Sequence, residues 1–378
     1  MRIAIVHEWL VTYAGSEKVL SAMLEEFPSA DLFCVIDTSH GKYADNFRGK
    51  PFTVSSAQRL RPYLGSHRNM LPIMMFAIEQ LDLRGYDLVI SNSHAVAKGV
   101  ITGPDQLHIS YCYTPMRYAW DLQAQYLREQ KLEKGLKGLI ARFALHWARV
   151  WDVRTSYGVD NFIACSKYIA RRIHKVYQRP STVIYPGVDV DYYTPGGQKA
   201  DYYVTSSRMV PYKKIPLIVE AFSRMPDKRL VVIGDGPQFK EAQSLASSNV
   251  SLLGYQGDDV LRQHLREAKA FIFAAEEDFG IAPIEAQACG TPVLAYGRGA
   301  ASETVKDGVT GLHFWAQTVE AICDVVGRFE AMEQSFDKDL IRAHAETYSV
   351  SRFRTEFKEQ VDRLWSAHQE RLGLVLAQ

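Results

Sequence analysis

Short apolar runs alternate with segments of helical period along most of the chain. Residues 3–6 open the series, and four successive apolar residues match a strand buried on both faces rather than one with a wet side. Past a loop containing Ala14-Gly15-Ser16, residues Val19, Leu20, Met23, Leu24 and Phe27 recur at helical spacing. Further strands are predicted over 87–91, 108–112, 162–166 and 182–185. A second series follows the turn-rich Tyr185-Pro186-Gly187-Val188-Asp189, with strands over 202–206, 230–234, 250–253, 270–274 and 292–295. A helix starting near Pro216 carries Ile218, Ala221, Phe222 and Met225 on one face, with proline in the favoured first turn. From about Ser349 the tail reads as helix, with Phe353, Phe357, Val361 and Leu364 in one stripe. The alternation predicts an α/β protein of two Rossmann-like, doubly wound domains, 1–186 and 187–354.

Composition narrows the class without changing that picture. At 378 residues the chain is long for one core and comfortable for two. Forty-four Lys plus Arg against 43 Asp plus Glu leave a formal charge of +1, so no global field draws nucleic acid. Cys34, Cys112, Cys165, Cys289 and Cys323 form no CxxC pair, and several sit in apolar runs. Buried reduced thiols in a reducing cytoplasm are expected. The apolar start of the chain soon meets Glu8, too short a run for a signal peptide, and no stretch has the apolar length of a membrane span. A cytoplasmic protein is therefore expected.

Ligands of such folds sit at the carboxyl ends of the strands, so segments just after strands carry the candidate chemistry. Ser207-Arg208-Met209-Val210-Pro211-Tyr212-Lys213-Lys214 puts two cations, Arg208 and Lys213, beside a helix start, which suits a diphosphate. It also reads as a solvated basic loop. Gly234-Asp235-Gly236-Pro237 would let backbone approach a flat ligand such as a nucleobase, or form an ordinary turn. The segment from Glu276 to Gly290 is the most informative. Pro283 is placed as the first helical residue and Gly290 as the residue that ends the helix. Glu285 then falls in the first turn, where the helix dipole alone would favour a carboxylate. Glu277 lies eight residues earlier, so both carboxylates can face one cleft, and the amides from Phe279 to Ala282 suit phosphate and sugar hydroxyls.

Glu277 and Glu285, with Phe279-Gly280 between them, resemble the Glu-x7-Glu signature of family 4 retaining glycosyltransferases of the GT-B fold. Arg208 and Lys213 look like that family's diphosphate clamp. The stretch from Gly297 to Val305, followed by Asp307-Gly308-Val309-Thr310-Gly311-Leu312, is similar to its next block. The resemblance implies two domains facing across a cleft, with a C-terminal helix of about 355–378 packed back on the first. It assigns the leaving diphosphate to Arg208 and Lys213, and the ribose hydroxyls to Glu285. Contact with the donor sugar falls to Glu277 and the backbone at Phe279, Gly280 and Ile281. The base would be held by the loops carrying Gly234, Gly236 and Tyr255.

In the first half, Gly15 stands where the family brings a glycine loop to the donor phosphates, here with one glycine rather than two. Ser91-Asn92-Ser93-His94 and the run from Ser110 to Asp121 resemble a subgroup building bacterial surface polysaccharides, several of them mannosyltransferases. That implies GDP-mannose as donor and a lipid-linked, O-antigen type acceptor. The family commonly has His where this chain has Tyr113. A phenol can hydrogen-bond a sugar hydroxyl but cannot shuttle protons near neutral pH. His7 and His94 are other imidazoles near strand ends. No acidic pair suggests a metal site, so neither metal nor cofactor is expected beyond the nucleotide sugar. A UDP-sugar transferase and a catalytically silent partner subunit remain alternatives.

Between Arg128 and Arg154, seven basic residues, among them Lys131, Lys134, Lys137 and Arg142, face three acidic ones and interleave with Leu136, Leu139, Ile140, Phe143 and Trp147. A second stretch combines Arg59, Arg61 and Arg68 with Met70, Leu71, Met74 and Phe76. Both read either as helices packed on the sheet or as amphipathic surfaces for the inner leaflet of a membrane.

Overall fold

The computed structural model describes residues 1–60 and 70–373, so Arg61 and Arg68 lie outside the described residues. The chain divides into two compact units, Met1–Tyr185 with the chain from Phe353 onward, and Pro186–Arg352. In the first unit the strands are β1 (Ile3–Leu10), β2 (Asp31–Asp37), β3 (Phe52–Val54), β4 (Leu88–Ser93), β5 (Leu107–Cys112), β6 (Asn161–Ala164) and β7 (Ser181–Val183). They pair in the order β3-β2-β1-β4-β5-β6-β7, each adjacent pair parallel. The winding direction therefore reverses between β1 and β4, which is where such a sheet opens a crevice for a ligand.

β1 continues past the predicted residues to Leu10, and its polar members His7 and Glu8 are fully buried. β2 and β3 are additions to the predicted set: β2 has the apolar interior of a two-face-buried strand, while β3 is a three-residue edge too short to show a pattern. The terminal helix, Val350–Arg371, buries Phe353, Phe357 and Val361 as its stripe predicts. Phe357 meets Phe27 and Tyr111 edge-on at 6.2 and 6.1 Å, and Arg354 pairs with Glu26 at 2.6 Å. Each large apolar side chain buried this way contributes roughly 1.5–3 kcal/mol, which ties the tail to this unit.

The second unit holds β8 (Tyr203–Ser206), β9 (Leu230–Ile233), β10 (Val250–Gly254), β11 (Phe271–Phe273), β12 (Val293–Tyr296) and β13 (Gly311–Phe314), in the parallel order β10-β9-β8-β11-β12-β13. The Ile215–Ser223 helix supplies Ile215, Ile218, Val219 and Phe222 to its core, and the Val319–Met332 helix supplies Ile322, Val325, Val326 and Phe329. Met225, expected on the first of these helices, lies beyond its end but still packs on the same core. Two doubly wound parallel-sheet units are thus present, as the alternating pattern predicts. Among the described residues, no helix is long and apolar enough to cross a membrane.

The first unit also encloses a charged pair. Lys98 and Asp152 are both buried and joined at 2.5 Å, with Asp152 also accepting from Trp120 Nε1 at 2.8 Å and Tyr177 Oη at 3.0 Å. Such a pair offsets its desolvation only while both partners are present. Asp152→Ala is expected to cost about 3–5 kcal/mol in urea unfolding, because it strands a buried ammonium. Adding Lys98→Met should recover part of that loss, and an equal or greater loss in the double variant would show that the pair is not what matters there.

Candidate functional site

In the second unit backbone bonds join the loops after β8 and β9, and those after β11 and β12, and a side-chain ion pair links the two sets. Leaving β8, the chain passes Arg208, exposed, into a short 3-10 turn at Pro211–Lys213, and Lys214 then takes a left-handed φ of 59° before the next helix. That turn aims Lys213 at the loop after β11, where its ammonium contacts Glu277 Oε1; both side chains are mostly buried. The main chain of Glu277 is held too. Ala300 N donates to Glu277 O at 2.9 Å, and a Cβ on Gly299 (φ 67°) would come within 2.6 Å of that oxygen. Only glycine permits that approach.

Gly234 and Gly236, at φ 126° and 152°, have a similar explanation. A Cβ on Gly234 would strike the Ser207 carbonyl, and one on Gly236 would lie 2.7 Å from Met209 O. Met209 N donates to Asp235 O at 2.9 Å, so these glycines let the β9 loop lie along the Arg208 loop. Gly234 N donates to Gly254 O at 2.8 Å, continuing the contact to the neighbour of Tyr255, a residue 81% exposed.

The helix after Glu277 runs Ile281–Ala288 from a Gly280 cap at φ 81°. It starts two residues before Pro283, so Glu285 lies in its second turn, not its first. The dipole account of Glu285 therefore fails; the carboxylate is buried at 7% exposure, one turn behind the helix start. The far end closes as expected. Gly290, at φ 72°, donates to Gln287 O at 2.9 Å, and Thr291 N reaches Ala286 O at 3.0 Å, the paired bonds of a Schellman stop. Phe279 is anchored by its ring, 6.0 Å from Tyr348, which leaves its backbone and that of Ile281 to line the helix start. In its first turn Ile281 and Ala282 carry amides with no intrahelical partner, Pro283 has none to offer, and the Glu277 carboxylate just before the turn stands against Lys213.

The first unit gathers a different set at the ends of β1, β4 and β5. Gly15 is the first residue of the Gly15–Glu26 helix. Tyr113 Oη donates to Ser16 O at 3.4 Å, so the phenol is turned onto that loop. Burial, reinforced by Glu17, raises its pKa well above the ordinary phenol value, and it stays protonated. His7 bridges Asn92, at 3.1 Å, and Glu17, at 3.2 Å, which accounts for it structurally. His94 stands at the end of β4, its ring 4.8 Å from Trp9 and 6.5 Å from Tyr113. Burial holds its imidazole below the ordinary pKa, with Glu8 pulling the other way.

Glu8 is the residue that pattern reading passed over. Its carboxylate accepts from the amides of His94, Ala95 and Val96 at 2.7 Å, from Ala97 N at 3.1 Å and from Ser93 Oγ at 3.0 Å. Burial pushes this carboxyl up, but His94 and the amides of Val96, Ala95 and Ala97 outweigh it, and the pKa ends below the ordinary value. The available signal was an acid inside an otherwise apolar strand. Lys131, Lys134 and Lys137 are exposed around the start of the Gly135–Ser156 helix. Arg142, grouped with them from sequence, instead donates to the carbonyls of Leu132, Gly138 and Glu133 at 2.8–3.4 Å and closes that bend.

This pair of parallel-sheet units has the fold of GT-B glycosyltransferases. Anabaena HepE, solved in complex with UDP, superposes with a TM-score of 0.70 at 17% identity, covering 96% of this chain and 100% of that one. Sucrose-phosphate synthase of Thermosynechococcus elongatus gives 0.74 at 16% identity, covering 97% and 100%. Residues 196–346, within the second unit, match the family model Glycosyl transferases group 1. D-inositol 3-phosphate glycosyltransferase of Mycobacteroides abscessus is 32% identical over 177 residues, 41% of this chain. An uncharacterized glycosyltransferase of Methanocaldococcus jannaschii is 29% identical over 159 residues, 40% of this chain. The chain spans 40% and 44% of the length of these two curated relatives.

The amide cradle of Glu8 sets an acid limit on the first unit. A carboxyl whose folded pKa is depressed stabilises fully above its unfolded pKa, and that contribution is lost as pH falls through the folded value. Glu8→Gln is expected to cost about 2–3 kcal/mol at neutral pH, since its amide NH2 would face backbone donors. In urea unfolding the gap from wild type should narrow once the pH is taken below the ordinary carboxyl range, where the depressed folded carboxyl starts to bind its proton. A gap that persists unchanged at that pH would contradict the assignment.

Proposed function

We propose that the protein is a retaining, metal-independent glycosyltransferase that moves mannose from GDP-mannose to a growing, lipid-linked surface polysaccharide, acting in the cytoplasm on the inner face of the membrane. The observation that carries the transferase reading is the Lys213–Glu277 contact, set beside the amide-bearing start of the Ile281–Ala288 helix. A cation and oriented amides at one point stabilise a departing diphosphate without a metal ion. The mannose and acceptor assignments are supported by the resemblance of residues 110–121 to the surface-polysaccharide subgroup.

In this reading Arg208 and Lys213 take the diphosphate, Glu285 holds the ribose hydroxyls, and Glu277 turns from Lys213 to the donor sugar. The bond from the sugar C1 to the β-phosphate oxygen breaks, and the acceptor oxygen attacks C1 from the same face. The acceptor's proton passes to the leaving phosphate, so no enzyme base is needed. Tyr113, a neutral phenol facing Ser16, fits that scheme because no proton is asked of it. A second reading keeps the chemistry with a UDP-sugar donor; it is favoured by HepE, a fold relative solved with UDP and with UDP-glucose.

The test is a panel of nucleotide sugars with EDTA present, read by thermal shift and slow donor hydrolysis. Stabilisation and turnover selective for GDP-mannose is expected; selectivity for a UDP-sugar establishes the second reading, and no binding at all leaves a silent partner subunit. Lys213→Ala should lower kcat by about 10²–10³-fold with a smaller change in KM, as loss of a transition-state contact does. Glu285→Ala should weaken nucleotide binding roughly tenfold, one hydrogen bond to a charged group. Wild-type kinetics in both variants would refute these roles.

A further inference from the structure

The Gly135–Ser156 helix has two apolar faces. One is spent on the core: Gly138, Leu145, Ala148, Asp152 and Thr155 are buried. The other is not. Leu136 is 73% exposed, Phe143 64% and Trp147 56%, with Leu139, Ile140 and Val150 alongside. Positions 136, 140, 143, 147 and 150 step by four and three, the spacing of a single helical face. Scattered surface apolar residues need no explanation, but an uninterrupted stripe along about four turns does.

The charge around the stripe selects what covers it. Asp152, the only acid in the helix, is buried against Lys98, so every exposed charge the helix presents is positive. Lys131, Lys134 and Lys137 are exposed at its start and outnumber the exposed Glu133 among them, while Arg154 near its end is paired with Glu79 at 2.5 Å. Two copies docked stripe to stripe with their helix starts together would set these lysines against each other. An anionic surface with an apolar interior matches both features at once.

We propose that this helix is a membrane-docking element, which lies in the interface of an anionic bilayer with Leu136, Leu139, Ile140, Phe143 and Trp147 inserted. The proposal deepens the reading of a lipid-linked acceptor and rests on it for its purpose. Attachment itself is measured with neither donor nor acceptor, so its failure leaves the transferase reading standing, and the reverse also holds. Anchorage comes mainly from the apolar stripe, with the lysines selecting the lipid charge.

The full chain is sedimented with vesicles of phosphatidylcholine alone and of phosphatidylcholine with phosphatidylglycerol. Wild type should bind the mixed vesicles at least tenfold better than the neutral ones. Phe143→Glu with Trp147→Glu should abolish binding while leaving donor hydrolysis unchanged, and Lys131→Gln, Lys134→Gln and Lys137→Gln together should narrow the preference for phosphatidylglycerol. With brominated lipid in the mixed vesicles, Trp147→Phe should still sediment but lose most of the wild-type tryptophan quenching. Absence of wild-type binding to the mixed vesicles would overturn the proposal, as would undiminished binding by the double glutamate variant or quenching unaltered by Trp147→Phe. A wild-type dimer that the glutamate variant dissociates, with no vesicle binding, would assign the stripe to a second copy instead.

Discussion

Glu277 is where the second unit's functional edge is tied together. Its side chain meets Lys213 from the loop after β8, and its carbonyl accepts from Ala300 in the loop after β12. Neither contact would survive a side chain at Gly299, whose Cβ would press into the Glu277 backbone. The loop after β9 is bound to the Arg208 segment by the same kind of close backbone approach, through Gly234 and Gly236. Fixing one carboxylate therefore fixes Lys213 against the segment that leads into the Ile281–Ala288 helix. Such over-determined loops hold a polar site in register without the substrate's help, which is how binding energy is kept for the reacting centre.

The first unit uses a related device with opposite content. There the amides that begin the turn after β4 are already occupied by the protein's own anion, Glu8. That turn has no remaining attraction for a phosphate, and what it presents is the part-exposed ring of His94 beside Trp9. The two parallel sheets thus offer unlike strand ends: one rich in cation and open helix amides, the other in aromatic and imidazole surface.

Much of this was legible in the residues. Apolar runs such as Ile3-Ala4-Ile5-Val6 and Leu230-Val231-Val232-Ile233 marked strands buried on both faces, and Gly290 marked a helix stop. Lys213 and Glu277 stand out because polar residues directly after such runs have few structural reasons to be there, and their side chains do meet. What stayed hidden depends on tertiary partners. The start of the Ile281–Ala288 helix was misplaced because proline is tolerated through the first turn, which moved Glu285 a turn inward. Gly234 and Gly236 looked like ligand-facing residues, although the backbone they accommodate belongs to residues 207–209. Glu8 was invisible as an anion partner, since its five donors come from residues more than eighty positions away. Periodicity also left open whether the apolar residues of the Gly135–Ser156 helix were core or surface, because that helix has an apolar stripe on each side.

On the proposed mechanism, the Glu277 carboxylate holds the cation that a diphosphate must take. Calorimetric titration of GDP and UDP into wild type and Glu277→Gln, at low and at moderate salt, addresses that competition without any sugar present. The variant should bind its preferred nucleoside diphosphate several-fold more tightly than wild type, with the advantage shrinking as salt screens the charges. Equal or weaker binding by Glu277→Gln at both salt concentrations would contradict it.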